Sequence, residues 1–165
     1  MVLISKATES DFEKIRDIAY KTWPVVYGEI LPPEQLDYML ARFYSDEALR
    51  ENLVHQKHHF IMASDMGNVL GFASFQHHYS GKNTTHLHKI YVLPEAQGKG
   101  VGKLLMLAVL DFAQKNHSDI LSLNVNRFNK ALDFYKKNGF EIVAETDIEL
   151  EHGYLMEDYI MERKI

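Results

Sequence analysis

A chain of 165 residues with 46% apolar and 25% charged residues is an ordinary globular mixture, long enough for one domain with a substantial core. Eighteen Lys and Arg against 23 Asp and Glu leave a net charge of −5 and no basic stripe, so no nucleic-acid partner is expected, while the mild acidic excess suits cationic, amine-bearing substrates. The lack of any cysteine excludes a disulfide framework, a Cys-based metal site and a thiol nucleophile; with no leader pattern and no run near the roughly 18 apolar residues that span a bilayer, no membrane association is expected and the expected compartment is cytoplasmic.

In chain order, residues 2–7 read as an opening strand. Ser10-Asp11-Phe12-Glu13 has the pattern of a capping box, and Phe12, Ile15, Ile18 and Ala19 mark an amphipathic helix behind it. Trp23-Pro24-Val25-Val26-Tyr27-Gly28 reads as an aromatic connector. Pro32-Pro33-Glu34 starts a second helix that runs to about Phe43, and residues 45–55 form a third. Strands follow at 59–64, 69–79 (with Gly71 inside) and 84–92, joined by turns at 65–68 and 80–83. His86 and His88 are two apart and share one strand face. A tight turn at 80–83 would set His77 opposite His86, gathering three histidines on that face. Such a trio could bind metal. No carboxylate or cysteine stands at ligand spacing beside it, so no metal is expected. A helix at 100–116, a strand at 120–125, a helix at 129–138, a strand at 140–150, a turn at His152-Gly153 and a strand at 154–164 complete the chain. With no repeats or linker-like runs, residues 1–165 form a single α/β domain, with a mixed, mostly antiparallel twisted sheet flanked by helices.

The segment from Ile90 to Lys103 carries the most information. An apolar strand passes through Pro94 into a glycine-rich turn, and the turn opens directly into an apolar helical pattern. The first-turn amides of a helix have no partner within it, and the helix dipole favours negative charge there, so this is a phosphate site. A Walker loop fails, because Gly102-Lys103 is followed by Leu104 and the first required glycine falls on Gln97. A dinucleotide fingerprint fails too: from Gly98 its third glycine falls on Lys103, and from Gly100 on Leu105.

What fits is Gln97-x-x-Gly100-x-Gly102, which resembles the acetyl-CoA loop (Q/R-x-x-G-x-G/A) of the GNAT superfamily of N-acetyltransferases. Downstream, Asn129, Ala131, Tyr135 and Gly139-Phe140 resemble the family's second cofactor segment. The residues agree on physical grounds. Asn129 is a good N-cap, Ala131, Phe134, Tyr135 and Asn138 share one helical face, and Gly139 suits a left-handed helix end. The spacing from Asn129 to Tyr135 is six, where many members have seven, which weakens Asn129. The resemblance covers residues 61–140 well and the rest more loosely.

The resemblance implies acetyl transfer from acetyl-CoA to a primary amine, a small amine or polyamine or a protein amine, by direct attack in a ternary complex. The pyrophosphate would lie on the amides of Gly98, Lys99, Gly100, Val101, Gly102 and Lys103, with Gln97 shaping the loop. Glycine at 98, 100 and 102 would keep side chains off the phosphates. The pantetheine would add as a strand beside Ile90, Tyr91 and Val92, next to a gap opened toward the strand at 120–125. A backbone N–H near Ile90 or Tyr91 would stabilise the oxyanion, and the Tyr135 hydroxyl would protonate the departing thiolate. Many relatives carry a glutamate base on the strand before the loop; here His86 and His88 stand in its place. Trp23, Tyr27, Tyr79 and Tyr154 are candidates for the acceptor pocket. The Tyr-rich first connector and the pattern G-Y-x-M-x-D-Y-x-M from Gly153 resemble the bacterial polyamine-acetylating branch. A homodimer is left open. The alternative class is a non-catalytic CoA-binding sensor or interaction module, against which Tyr135 argues.

Overall fold

The computed structural model describes residues 1–165. One seven-stranded sheet is built from β1 (Leu3–Lys6), β2 (His59–Asp65), β3 (Asn68–Gln76), β4 (Thr84–Val92), β5 (Ile120–Asn126), β6 (Glu141–Glu149) and β7 (Leu155–Lys164), in the order β1-β2-β3-β4-β5-β7-β6. Every neighbouring pair is antiparallel except β4 and β5. Those two are joined by the long helix α4 (Val101–Lys115), the crossover that a parallel pair requires. The α/β reading from the sequence holds. Helices α1 (Phe12–Tyr27) and α2 (Pro33–Phe43) cover the face that carries Phe72 and Tyr91, where Phe72 meets Tyr44 at 6.2 Å between ring centroids. Helix α4 covers the other face, where its Phe112 packs on Phe75 at 5.2 Å. Short helices α3 (Asp46–Arg50), which continues as a π-helical turn over Glu51–His55, and α5 (Leu132–Lys137) complete the α-helices. No helix is long and apolar enough to cross a membrane.

Three local expectations are corrected. The helix entry is set two residues earlier than expected: the Thr8 amide donates to Asp11 Oδ2 at 2.9 Å, and a short 3₁₀ turn at Glu9–Asp11 leads into α1. The aromatic connector is helix: α1 runs through Pro24 to Tyr27. Proline removes one backbone donor, but burial of Thr22 and Trp23 holds the turn in place. Trp23 and Tyr27 therefore meet edge-on one turn apart, with centroids 4.8 Å apart. Third, β3 ends at Gln76, and the link to β4 passes through left-handed His78 and Ser80 rather than a tight turn.

The β3–β4 register places the site. Gly71↔Val92 through Ser74↔Lys89 pair as the tight-turn register expects. A β-bulge then makes His88 the extra residue, and Phe75 pairs with Leu87 and Gln76 with His86. A slip of one residue sends a side chain to the opposite face. His77 therefore points away from His86, hydrogen-bonds Thr85 Oγ1 at 2.8 Å and packs against His59 and Phe75. The three-histidine cluster does not form, and no three His, Cys, Asp or Glu side chains gather as a metal site.

Candidate active site

Beyond the bulge, β4 and β5 part. Their parallel ladder runs only from Thr84↔Ile120 to Leu87↔Leu123, while β4 continues to Val92 and β5 to Asn126. A bulge bends its strand, so His88 sits where the divergence begins. The opening is a cleft of about 1210 Å³. Residues 88–92 form one wall and residues 123–126 the other; α1, the loop after β4 and α5 close the ends.

The loop at the cleft's end is built for an anion. Gly98 and Gly100 both have φ of +79°, the left-handed region that side chains avoid. A Cβ built on either meets nothing within 4 Å and would stand in open space. Gly102 differs: its Cβ would only touch the Phe134 ring at 3.6 Å, an ordinary contact. The amides of residues 98–103 donate to no backbone carbonyl; the first amide of the turn to do so is that of Leu104, to Gly100 at 3.1 Å. Gln97 Nε2 donates to the Val92 carbonyl at 3.3 Å and ties the loop back to β4. Of the loop residues expected to hold the cofactor, Gln97, Gly98, Gly100, Val101, Gly102 and Lys103 line the cleft, as do Ile90, Tyr91 and Val92; Lys99 does not.

Asn129 caps the approach to α5 rather than the helix itself. Its side-chain oxygen accepts from the Ala131 amide at 2.9 Å, and α5 begins only at Leu132. The helix ends as expected: Gly139 has φ of +87°, and the Phe140 amide reaches back to the Tyr135 carbonyl at 3.1 Å. Tyr135 is 8% exposed and lines the cleft, its ring held edge-on by Phe134 at 5.5 Å. Its hydroxyl has no hydrogen-bond partner in the protein, and burial pushes the phenol well above its ordinary range, so it carries its proton. Nearby, the Tyr27 and Tyr91 hydroxyls are 3.0 Å apart.

His86 and His88 do share one face, with ring centroids 4.7 Å apart. His86 stacks on Tyr79 at 4.0 Å and its Nδ1 lies 2.7 Å from Ser122 Oγ. His88 stacks on His58 at 4.0 Å, and its Nε2 lies 3.0 Å from Gln76 Oε1; an amide oxygen only accepts, so this nitrogen carries the proton. Burial lowers His86 to about 4 and His58 to about 4, and lowers His88 further still; Lys89 adds repulsion for His58 and His88. These rings are neutral at pH 7 and weak as bases. A depressed folded value means that the unfolded chain binds more protons as pH falls from 6.5 toward 4, so stability is complete above 6.5 and is lost across that window. The melting temperature is expected to fall by on the order of 10 °C between pH 7 and pH 4.5. Replacing His58 and His86 together by Gln should flatten that fall in a calorimetric pH series; an unchanged slope would contradict it.

Of the aromatic residues expected at the acceptor pocket, Trp23, Tyr27 and Tyr79 line the cleft. Tyr154 lies outside it, beside Tyr38 and His152. Two residues that sequence reasoning missed lie inside. Lys89 Nζ sits over the Tyr44 and Phe60 rings, and burial lowers it to about 8. Asp158, on β7, is 4% exposed and lines the cleft. Burial raises its carboxyl, an effect tempered by the Asn124 side chain. The available signal was the acid in the 153–161 pattern, although Glu157 beside it and Glu162 further along the same strand carry the same charge and nothing local separates them.

The comparisons agree with this geometry. The profile of the Acetyltransferase (GNAT) family matches residues 12–140. A spermidine N(1)-acetyltransferase of Thermoplasma acidophilum is 28% identical over 98% of this chain and 96% of its own. The uncharacterized N-acetyltransferase YuaI of Bacillus subtilis is 28% identical over 91% of this chain and 86% of its own. The crystal structure of PaiA N-acetyltransferase from Thermoplasma acidophilum in complex with coenzyme A superposes with a TM-score of 0.84 at 26% identity, covering 100% of this chain and 99% of that one. A sheet split beside a glycine loop with free amides, together with a family match over most of the chain, makes this protein an acetyl-CoA-dependent N-acetyltransferase of the GNAT family.

Proposed function

We propose that the acceptor is a primary alkylamine, with polyamines foremost, and that it attacks acetyl-CoA directly while both are bound in the cleft. The observation that carries this reading is the unpartnered, protonated Tyr135 hydroxyl at the gap between β4 and β5. The spermidine-acetylating relative, similar along nearly its whole length, supports the polyamine class.

In this reading the diphosphate lies on the amides of residues 98–103, and the pantetheine adds along residues 90–92. That places the thioester at the split. The amine reaches the cleft as an ammonium and gives one proton to water. Its lone pair then attacks the thioester carbonyl; the new C–N bond forms and the oxyanion is held by a β4 amide near Ile90 or Tyr91. The C–S bond breaks, the thiolate takes the Tyr135 proton, and the second proton shed by the amide nitrogen returns through water to the Tyr135 phenolate. The balance is one acetylamide, one CoA thiol and one proton released per ammonium consumed. His86 and His88 wall the site as neutral rings, since their base strength is too low for efficient proton transfer at pH 7.

Thiol release from acetyl-CoA across a panel of spermidine, spermine, monoamines, amino acids and lysine peptides tests the proposal. Turnover should be highest with the alkylamines. A preference for peptide or amino-acid acceptors would overturn the substrate class. Binding of acetyl-CoA without turnover on any amine would favour a sensor.

A further inference from the structure

Asp158 has a feature that acetyl transfer as drawn above does not use. Its carboxylate is buried in the wall of the cleft and is without an ion pair. The nearest cation, Arg127, is already committed. Its Nη2 holds Asp147 Oδ1 at 2.6 Å, its Nε lies 4.0 Å from Glu145, and its contact with Asp158 is to the backbone carbonyl at 3.3 Å. The groups that face the Asp158 carboxylate are Asn124 from β5, Tyr27 from α1, Arg127 from the β5–α5 connection and Asp147 from β6. Three of those four are neutral or negative at pH 7. A buried, unpaired carboxylate is costly, and native structures rarely keep one without a partner.

The cleft supplies the place for that partner. Asp158, Asn124 and Asn126 line one side of it, and Tyr27 lines another. We infer that Asp158 is the seat of the acceptor's cationic nitrogen, a substrate counter-ion held between β5, β7 and α1. This rests on the acetyl-transfer reading for the identity of the cleft and deepens it by naming the group that selects a charged alkylamine over a neutral nucleophile. An ammonium here meets a carboxylate, the side-chain oxygens of Asn124 and Asn126, and the phenol of Tyr27. A carboxylate kept for a ligand also costs stability in the free protein. Its raised folded value means that Asp158 stabilises the fold only when protonated, and this is lost as pH rises through that value; at pH 7 the ionised group works against folding.

Calorimetric titration of n-butylammonium, and of its neutral isostere 1-butanol, into CoA-saturated protein tests the inference. The wild type should bind the cation at least about 10-fold more tightly than the alcohol. Asp158→Asn should weaken the cation roughly 10- to 100-fold, the scale for removing one partner of a buried charge pair. It should leave the alcohol and CoA unchanged and hold or raise the melting temperature at pH 7. A merely structural Asp158 predicts the reverse: a lower melting temperature with ligand preference intact. Equal binding of cation and alcohol by the wild type overturns the inference even if the variant does not fold. Thiol release is read separately, so loss of acetyl transfer on every amine would count against the enzyme reading and not against the cation seat.

Discussion

Tyr135→Phe is expected to lower turnover by roughly 10²-fold or more, the usual scale for losing a positioned acid. The ring keeps its edge contacts with Phe134 and Phe140. The deleted hydroxyl has no partner in the protein, so removing it strands no buried group and stability should hold. Acetyl-CoA affinity should change little for the same reason. The defect should shrink with a thioester whose leaving thiol is more acidic, because such a thiolate needs less help from a donor. Tyr135→Ala behaves differently: it empties a buried aromatic site and should cost about 3–5 kcal/mol of stability. A Tyr135 that only packs predicts wild-type turnover in the Phe variant. That outcome, with any amine the wild type uses, would remove the hydroxyl from the chemistry.

Gly100→Val is expected to abolish the stabilisation that acetyl-CoA gives the wild type. A ligand present at about 100 times its Kd adds about 2.7 kcal/mol, a rise of roughly 5–10 °C for a chain of this size. Gly100 is the residue before α4, with φ of +79°. A β-branched side chain there is strained by about 1–2 kcal/mol in the left-handed region, so the variant should melt only a few degrees lower. Its added atoms stand in the open space beside the free amides and would exclude the diphosphate. Gly102→Ala is the contrasting case. Its backbone is ordinary helix and its methyl would rest on Phe134, so the acetyl-CoA shift should survive. A full shift in Gly100→Val would contradict the phosphate site, and loss of the shift in both variants would mean the loop tolerates no side chain at all.

The contrast between these glycines shows what the sequence could and could not reveal. The spacing of Gln97, Gly100 and Gly102 locates the loop because a turn into a helix is a local event with a small menu of backbone angles. The Gly139 helix end is legible for the same reason. Gly102 matches the spacing without a comparable need: its backbone is ordinary helix and a methyl there would only touch Phe134, a long-range contact that no local rule contains. Pro24 misleads in the opposite sense: its propensity ends a helix, yet packing of Trp23 against Tyr44 and Tyr91 carries α1 through it. The histidine cluster fails on a single extra residue. The bulge at His88 shifts the register by one, and period-2 geometry then turns His77 to the α4 face. Asp158 was visible as a letter but not as a site. Its meaning depends on β7 lying beside β5, on Arg127 being occupied by Glu145 and Asp147, and on Tyr27 facing it from the far end of the chain. Each of these is a long-range contact.

Direct transfer in a ternary complex requires that the acetyl group never rest on the protein. Acetyl-CoA carrying a labelled acetyl group is mixed with excess protein, with and without spermidine, and quenched within a single turnover. Without the amine, label should stay on CoA and no thiol should appear. With it, label should pass to the amine in equal amount with released CoA thiol, and none should be found on the protein at any time. Labelled protein in the absence of amine would contradict direct attack, since the acetyl group would then travel through an enzyme-bound intermediate.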